Sequence, residues 1–207
     1  MKTVQNSNRL LQDFLNGNDD AFAKIYELYA KELYAFGLSL HVKAALIEDA
    51  IQDVFTDMYM RREKLPEIHN LKLYIMGAFR NRLFVLSKKE GVYMEMTDLK
   101  TDTLMQDSDL ERWIEKESAD EKVLQVRRLM AKLNIRQQEA LYYRFVDELS
   151  IKDIASLMNM NYQSVKNLIH RAIKKLRTLE MKIMLFFIKI LKKNVKTEYQ
   201  KNKSDTI

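Results

Sequence analysis

Apolar residues recur every three or four positions along most of the chain, the spacing of one face of an α-helix. Ala21, Phe22, Ile25, Tyr26, Leu28, Tyr29, Leu33, Phe36 and Leu40 form the first stripe, and Asn18, Asp19 and Asp20 before it offer N-capping side chains. A second stripe runs through Leu46, Ile47, Ala50, Ile51, Val54, Phe55, Met58 and Tyr59. Lys64-Leu65-Pro66 ends it, because proline disfavours helical backbone at the residue before it. A third helix is predicted from about Leu71 to Lys89, on Leu73, Ile75, Met76, Phe79, Leu83, Phe84 and Leu86. Three helices joined by short loops form a compact bundle.

The second half of the chain holds four more helical pieces. Val123, Val126, Leu129, Met130 and Leu133 mark the first, and Ala140, Leu141, Tyr143, Arg144, Phe145 and Val146 lie in the second. Ser150 caps the third, where Ile151, Ile154, Ala155 and Met158 fall at i, i+3, i+4 and i+7. Asn159-Met160-Asn161 interrupts the pattern, and asparagine suits a tight interhelical turn because it tolerates positive φ and caps the next helix. The last helix begins near Tyr162 and carries Val165, Leu168, Ile169, Ala172, Ile173 and Leu176 on one face.

Composition supports an all-α chain with a packed core. Four Gly and one Pro in 207 residues are too few for a turn-rich β fold, and 47 % hydrophobic residues suffice for a core. The absence of cysteine excludes disulfides, Cys-ligated zinc, thiolate catalysis and iron–sulfur clusters. The three histidines, His41, His69 and His170, are far apart in sequence and do not suggest a metal site. The first residues, MKTVQNSNRLLQDF, contain no apolar run of signal-peptide length. The longest apolar-rich run, Met181 to Leu191, is broken by Lys182 and Lys189 and is shorter than the roughly 20 residues of a membrane span. A soluble, cytoplasmic protein is expected.

Charge divides the chain into blocks. Thirty-five Lys and Arg against 29 Asp and Glu leave a net +6. Residues 95–121 hold ten acids and three bases, whereas residues 122–193 hold sixteen bases and five acids. Residues 1–89 are nearly balanced. An acidic, Ser/Thr-containing segment between two helical blocks reads as a linker. The boundaries expected are 1–91 for the first domain, 92–121 for the linker, 122–179 for the second domain and 180–207 for a basic amphipathic extension.

The second block carries the most specific signal. A short helix with the small Ala155, a three-residue turn and a longer basic helix make a helix-turn-helix. Opposite the apolar stripe of the last helix lie Gln163, Lys166, Asn167, His170, Arg171 and Lys174, stepping by three and one along a single face. Arg and Lys bond guanine edges or phosphates, and Asn and Gln can read adenine in the major groove. In the first block, Lys72, Arg80, Arg82, Lys88 and Lys89 alternate with Tyr74 and Phe79, a mixture suited to single-stranded nucleic acid. Asp49 and Asp53, four apart on one helical face with Gln52 and Asp57 nearby, make an acidic face. No nucleophile, catalytic partner or Gly-rich phosphate loop accompanies these carboxylates, so they read as a docking face for a basic protein rather than as catalysts.

These stretches together resemble the extracytoplasmic-function (ECF) sigma factors of bacterial RNA polymerase, compact members of the sigma-70 family. The resemblance covers about residues 8–89 and 122–179. Asp49-Ala50-Ile51-Gln52-Asp53-Val54-Phe55 is similar to the family's DAxQxVF-like stretch, and Leu73-Tyr74-Ile75 with Arg80-Asn81 to its WL…ARN stretch. Leu149-Ser150-Ile151-Lys152-Asp153-Ile154-Ala155 is similar to LSxxEIA, and the run from Val165 to Arg177 to VKsxlhRArkkLR.

The resemblance implies sigma region 2 in the first block and sigma region 4 in the second. It implies that Asp49, Gln52, Asp53 and Phe55 lie at or near the interface with the polymerase clamp. It implies that Arg80, Asn81 and Arg82 face the minus-ten strand, with Tyr74 where the family has Trp. It implies that the loop from Arg62 to Asn70, with Lys64 and Asn70, falls where the family captures a flipped base. Arg144, Gln163, Ser164, Lys166, Asn167, His170, Arg171 and Lys174 match positions facing minus-thirty-five DNA. The implied partners are the clamp and flap of core polymerase, promoter DNA and, as a candidate, an anti-sigma protein, with no cofactor, metal, small-molecule substrate or catalysis. The sequence departs from the family at Val85, where many members have Asp, at Asn134, a common Pro, and at Glu148, a common Gly. Two other functions fit the residues alone: a helix-turn-helix regulator with a helical sensor domain, and a helical scaffold whose basic tail lies on a membrane.

Overall fold

In the computed structural model the described residues are 2–89 and 132–177, and among them every regular element is helical. The acidic linker, the helix expected on Val123 to Met130 and the tail from Met181 lie outside the described residues. Four α-helices come from the first block: α1 (Lys2–Leu15), α2 (Asp19–Ser39), α3 (Ala44–Met60) and α4 (Leu71–Lys89). A short 3-10 turn, Arg62–Lys64, lies between α3 and α4. Three come from the second block: α5 (Ile135–Phe145), α6 (Ile151–Leu157) and α7 (Tyr162–Arg177).

Helix α1 extends the three-helix expectation. Its polar composition hides it from a periodicity reading, yet Leu11 and Phe14 are fully buried and fasten it to the bundle. Gly17, at φ 97°, turns the chain into α2, and only glycine adopts that backbone without strain. The Asn18 side chain then accepts from the Ala21 N–H, so the predicted cap forms, with Asp19 and Asp20 in the first turn of α2.

The α2–α3 packing depends on Gly37. A Cβ there would sit 2.6 to 3.0 Å from the carbons of Ile47 on α3. The two backbones approach too closely for any side chain at that crossing. Helix α3 ends at Met60, five residues before the Leu65 that precedes proline, so Pro66 follows an intervening 3-10 turn instead of stopping the helix itself. Asn70 starts α4, its side chain accepting from the Leu73 N–H at 3.1 Å.

The second block builds its helix ends from capping boxes. Asn134 and Gln137 satisfy each other's backbone N–H at the start of α5. The residue that replaces a common proline is therefore itself a cap. Ser150 and Asp153 do the same for α6. Glu148, where glycine is common, holds φ at 58°, and Asn159 in the α6–α7 turn holds 50°. Asn161 caps α7 by accepting from the Ser164 N–H at 2.7 Å. Asparagine accordingly fills both of the turn roles its chemistry suggests.

Both blocks bury their apolar stripes in one continuous core. Phe36 of α2 stacks on Tyr143 of α5 at 4.9 Å and lies 5.1 Å from Tyr142, centroid to centroid. Phe79 of α4 meets Phe36 edge-on at 6.2 Å. Gly37→Ala is expected to lower unfolding free energy by about 1–3 kcal/mol, through overpacking against Ile47. Urea unfolding of the variant beside the wild type measures it, and an unchanged midpoint would show that α2 and α3 shift apart at no cost.

Candidate nucleic-acid and polymerase interfaces

Helix α7 turns Val165, Leu168, Ile169, Ala172 and Leu176 inward, with Ile173 half-buried, as the 3.6-residue period requires. Its other side is solvated. Gln163, Lys166, Asn167, His170, Arg171 and Lys174 are all exposed, and Ser164 is half-buried beside them. Gln163 Nε2 donates to Asn167 Oδ1 at 3.0 Å, which holds two amides of this face in register. Arg144 of α5 is also exposed, and its Nη1 donates to the Leu149 carbonyl at 3.0 Å, steadying the turn into α6. The expected upstream-duplex residues thus form one polar, net-cationic surface on a helix-turn-helix.

The residues expected at the minus-ten strand differ in exposure. Lys64, Asn70 and Asn81 are exposed, and Tyr74 is half-buried. Burial, followed by the carboxylate of Asp57, raises the Tyr74 pKa, so its hydroxyl stays neutral. Arg82 is paired at 2.5 Å with Asp53 of α3, which joins a residue of the expected DNA face to one of the expected polymerase face.

Arg80 departs from expectation outright. It is 3 % exposed and points into the second block, where its Nε donates to Glu139 Oε1 and its Nη2 reaches Glu139 Oε2 at 3.3 Å. Its guanidinium also lies 4.5 Å from the Phe84 ring centroid. Burying a guanidinium is costly unless a carboxylate meets it, and fully buried Glu139 of α5 supplies one. Burial pushes the Glu139 carboxyl up, and the Arg80 hydrogen bond and charge oppose that rise.

On α3, Asp49 and Gln52 are exposed and Asp53 is half-buried. Phe55 is buried rather than displayed, its ring 4.8 Å from Tyr26 and 6.1 Å from Phe22. It belongs to the lining of a groove of about 670 Å³ between α2 and α3, together with Phe22, Tyr26, Gln52, Tyr59 and Met60. The sequence reading singled out Gln52 and Phe55 but not the α2 side of this groove. The signal was present in Phe22 and Tyr26, four apart, which read as core residues. Tyr26 is in fact 40 % exposed and Tyr59 41 %.

A second charged cluster links the blocks. Lys72 Nζ of α4 meets Asp147 Oδ1 at 3.1 Å and Glu32 Oε2 of α2 at 2.9 Å. Burial raises the Asp147 pKa to about 6, although the neighbouring Lys72 ammonium pulls it down. The Lys72 pKa is also raised: burial works against the ammonium, but Asp147 and Glu32 together outweigh it. The causes are opposite: burial raises Asp147 against the ammonium, and the two carboxylates raise Lys72 against burial. Among the described residues no three His, Cys, Asp or Glu side chains are grouped to hold a metal ion, and no helix is long and apolar enough to cross a membrane.

Comparison with known proteins agrees with the helix-turn-helix. Residues 124–176 match the family model described as sigma-70, region 4. The ECF RNA polymerase sigma factor SigM of Bacillus subtilis (strain 168) is 23 % identical over 157 residues, covering 75 % of this chain and 93 % of that protein. The fold is similar to that of CnrH, solved in complex with the cytosolic domain of CnrY, with TM-score 0.58, 16 % identity, and coverage of 84 % of this chain and 96 % of that one. It is also similar to that of the sigma factor RpoE, solved with the anti-sigma factor NepR from Bartonella quintana, with TM-score 0.55, 21 % identity, and coverage of 76 % and 95 %. A region 4 helix-turn-helix behind a helical bundle supports a role in directing RNA polymerase at transcription initiation. Along most of its length the chain is similar to ECF RNA polymerase sigma factors.

Asp147 binds a proton more readily in the folded chain than in the unfolded one. Its contribution to stability is therefore complete below the unfolded value of 3.8 and is lost as the pH rises to about 6. Asp147→Asn mimics the protonated form. Relative to that variant, the wild type should lose on the order of 1–3 kcal/mol between pH 4 and pH 7. Melting temperatures of the two proteins across that range measure the loss, and parallel pH curves would show that Asp147 does not titrate there.

Proposed function

We propose that this sigma factor divides its work between its two helical blocks. Residues 1–91 dock on the polymerase clamp and hold the melted minus-ten strand, residues 122–179 read minus-thirty-five DNA, and the acidic segment 92–121 ties them together. The extension 180–207 is basic. The observation that carries the reading is the solvated face of α7, six exposed polar and basic side chains within the segment that matches region 4.

Each part follows from its chemistry. The α7 side chains enter the major groove of duplex DNA, where Lys166 and Arg171 meet guanine edges or phosphates and Gln163, Asn167 and His170 hydrogen-bond within reach. Ser164 and Lys174 flank that contact, and Arg144 adds a phosphate contact from α5. The first block holds bases displaced from the melted strand, with Tyr74 as the aromatic platform, Arg82 and Asn81 along α4, and Lys64 and Asn70 around the preceding loop. Extruding a base costs a few kcal/mol, and stacking on an aromatic ring offsets that by about 1–3 kcal/mol per base.

Polymerase supplies the remaining affinity. Asp49, Gln52 and Asp53 present an acidic edge to a basic partner helix, and the groove floored by Phe55 accepts its apolar side chains. The upstream module contacts the polymerase flap. CnrH and RpoE were solved with a protein partner and an anti-sigma factor, respectively, and an anti-sigma protein is a further partner in this reading. The chain works without a cofactor and in the cytoplasm, beside the polymerase it serves. The regulator and membrane-scaffold alternatives are not favoured by the family match.

Lys166→Ala and Arg171→Ala are each expected to weaken upstream-element recognition by roughly 1–3 kcal/mol. Footprinting and run-off transcription with core polymerase measure this, and wild-type footprints in both variants would remove α7 as the reading face. Asp49→Lys reverses a charge on the docking edge and leaves the Asp53–Arg82 pair in place. It should cut capture of core polymerase on a pull-down, and undiminished capture would rule that edge out.

A further inference from the structure

The loop between α3 and α4 has little regular structure beyond its 3-10 turn, yet three of its side chains are half-buried: Arg62, Leu65 and Ile68. The residues between them are exposed. Leu65 and Ile68 pack against the core, as apolar residues in a loop should. Arg62 differs in kind, a cation held against the protein where the loop leaves α3.

Residues from three helices meet it there. Arg62 Nη1 lies 3.5 Å from Asp19 Oδ1 in the first turn of α2. Its guanidinium carbon lies 5.8 Å from the ring centroid of Phe14 on α1 and 5.8 Å from that of Tyr59 on α3, both within the roughly 6 Å of a cation–π contact. The Tyr59 hydroxyl donates to the same Asp19 oxygen at 3.2 Å. Arg61, one position earlier, is the contrast: it pairs with Asp57 of α3 and ties no two elements together. Its side chain is 67 % exposed, against 29 % for Arg62.

Each of these contacts adds little stability alone, because solvent reaches the charges. Their common effect is on position, since contacts from α1, α2 and α3 fix where one planar group sits. The far end of the loop is fixed independently, by Asn70 at the start of α4. A loop held at both ends binds a ligand without first having to be ordered.

We propose that Arg62 is the positioning residue of this loop: through Asp19, Phe14 and Tyr59 it sets residues 62–70 for base capture, and it does not itself contact the strand. The proposal rests on the assignment of that loop to the minus-ten strand. Helix α1 then takes part in base capture through Phe14, without touching DNA. A guanidinium that met a phosphate would respond to its neighbours in the opposite sense. Removing Asp19 would free it and take a negative charge away from the polyanion, so DNA binding would hold or improve. Removing Asp19 from a positioning contact weakens capture instead.

The test uses the full chain with core polymerase, on promoters substituted one base at a time through the minus-ten element. The readout is the ratio of run-off transcription from the preferred base to that from its substitutes. Arg62→Ala and Asp19→Ala should each lower the highest of these ratios by about tenfold, and the double variant should lower it no further. Upstream footprints and capture of core polymerase should stay at the wild-type level. Urea midpoints separate these effects from loss of the fold, and Arg62→Gln takes the place of an alanine variant that does not fold.

An Asp19→Ala chain that selects as well as the wild type or better, beside a weakened Arg62→Ala, would make Arg62 a direct DNA contact and overturn the proposal. Full selectivity in both folded variants would overturn it too. So would a loss of selectivity that follows a loss of core capture, because the effect would then pass through the groove that Tyr59 lines. A wild-type chain that redirects polymerase with no base preference in the minus-ten element would instead remove the loop's assignment, and one that never redirects polymerase would remove the functional reading.

Discussion

The arrangement of the described residues turns on a guanidinium that cannot be buried alone. Arg80 sits on the helix nearest the second block, and placing it at 3 % exposure requires a carboxylate at one position and in one orientation. Glu139 provides it from 59 residues further along the chain. Such a pair adds little net stability, because desolvating two charges costs about what their attraction returns. Its effect lies in register: α5 can pack against α4 only where Glu139 reaches Arg80. The aromatic stack of Phe36 and Tyr143 then supplies apolar burial at that register, and Lys72 with Asp147 fixes the far end.

This accounts for the unequal exposure of the assigned surfaces. An amphipathic helix has one buried stripe, and α7 spends its stripe within the second block, leaving its polar face in water. Helix α4 is packed on two sides, against α3 on one and against the second block on the other. A residue on the second side can be a DNA contact or an interior residue, but not both at once. Arg80 is interior here, while Asn81, one position on, is exposed.

Most of the helical framework was legible in the sequence because local chemistry determines it. Asn18, Ser150 and Asn161 are caps by side-chain type and position, and each forms the bond its chemistry predicts. The α7 stripe follows from a period of 3.6. The parts that escaped reading depend on distant partners. Gln137, Gln138 and Glu139 carry no apolar signal, yet all three are buried, two of them by virtue of capping and a carbonyl bond and one by Arg80. Helix α1 escaped because only Leu11 and Phe14 anchor it fully, too few to show a period. Phe55 was expected at a docking surface from its own stretch alone, and its place as floor of the groove depends on Tyr26 and Phe22 arriving from α2.

The two proposed DNA surfaces therefore differ in exposure. The α7 face needs no rearrangement: its side chains are solvated, and only counterions stand between them and a phosphate backbone. The α4 face is partly covered, because Arg80 and Lys72 pair with Glu139 and Asp147 of the second block beside the Phe36–Tyr143 stack. One helix therefore both holds the two blocks in register and carries exposed Asn81 at its surface, so each position along α4 is committed to one of the two tasks by the side of the helix on which it falls.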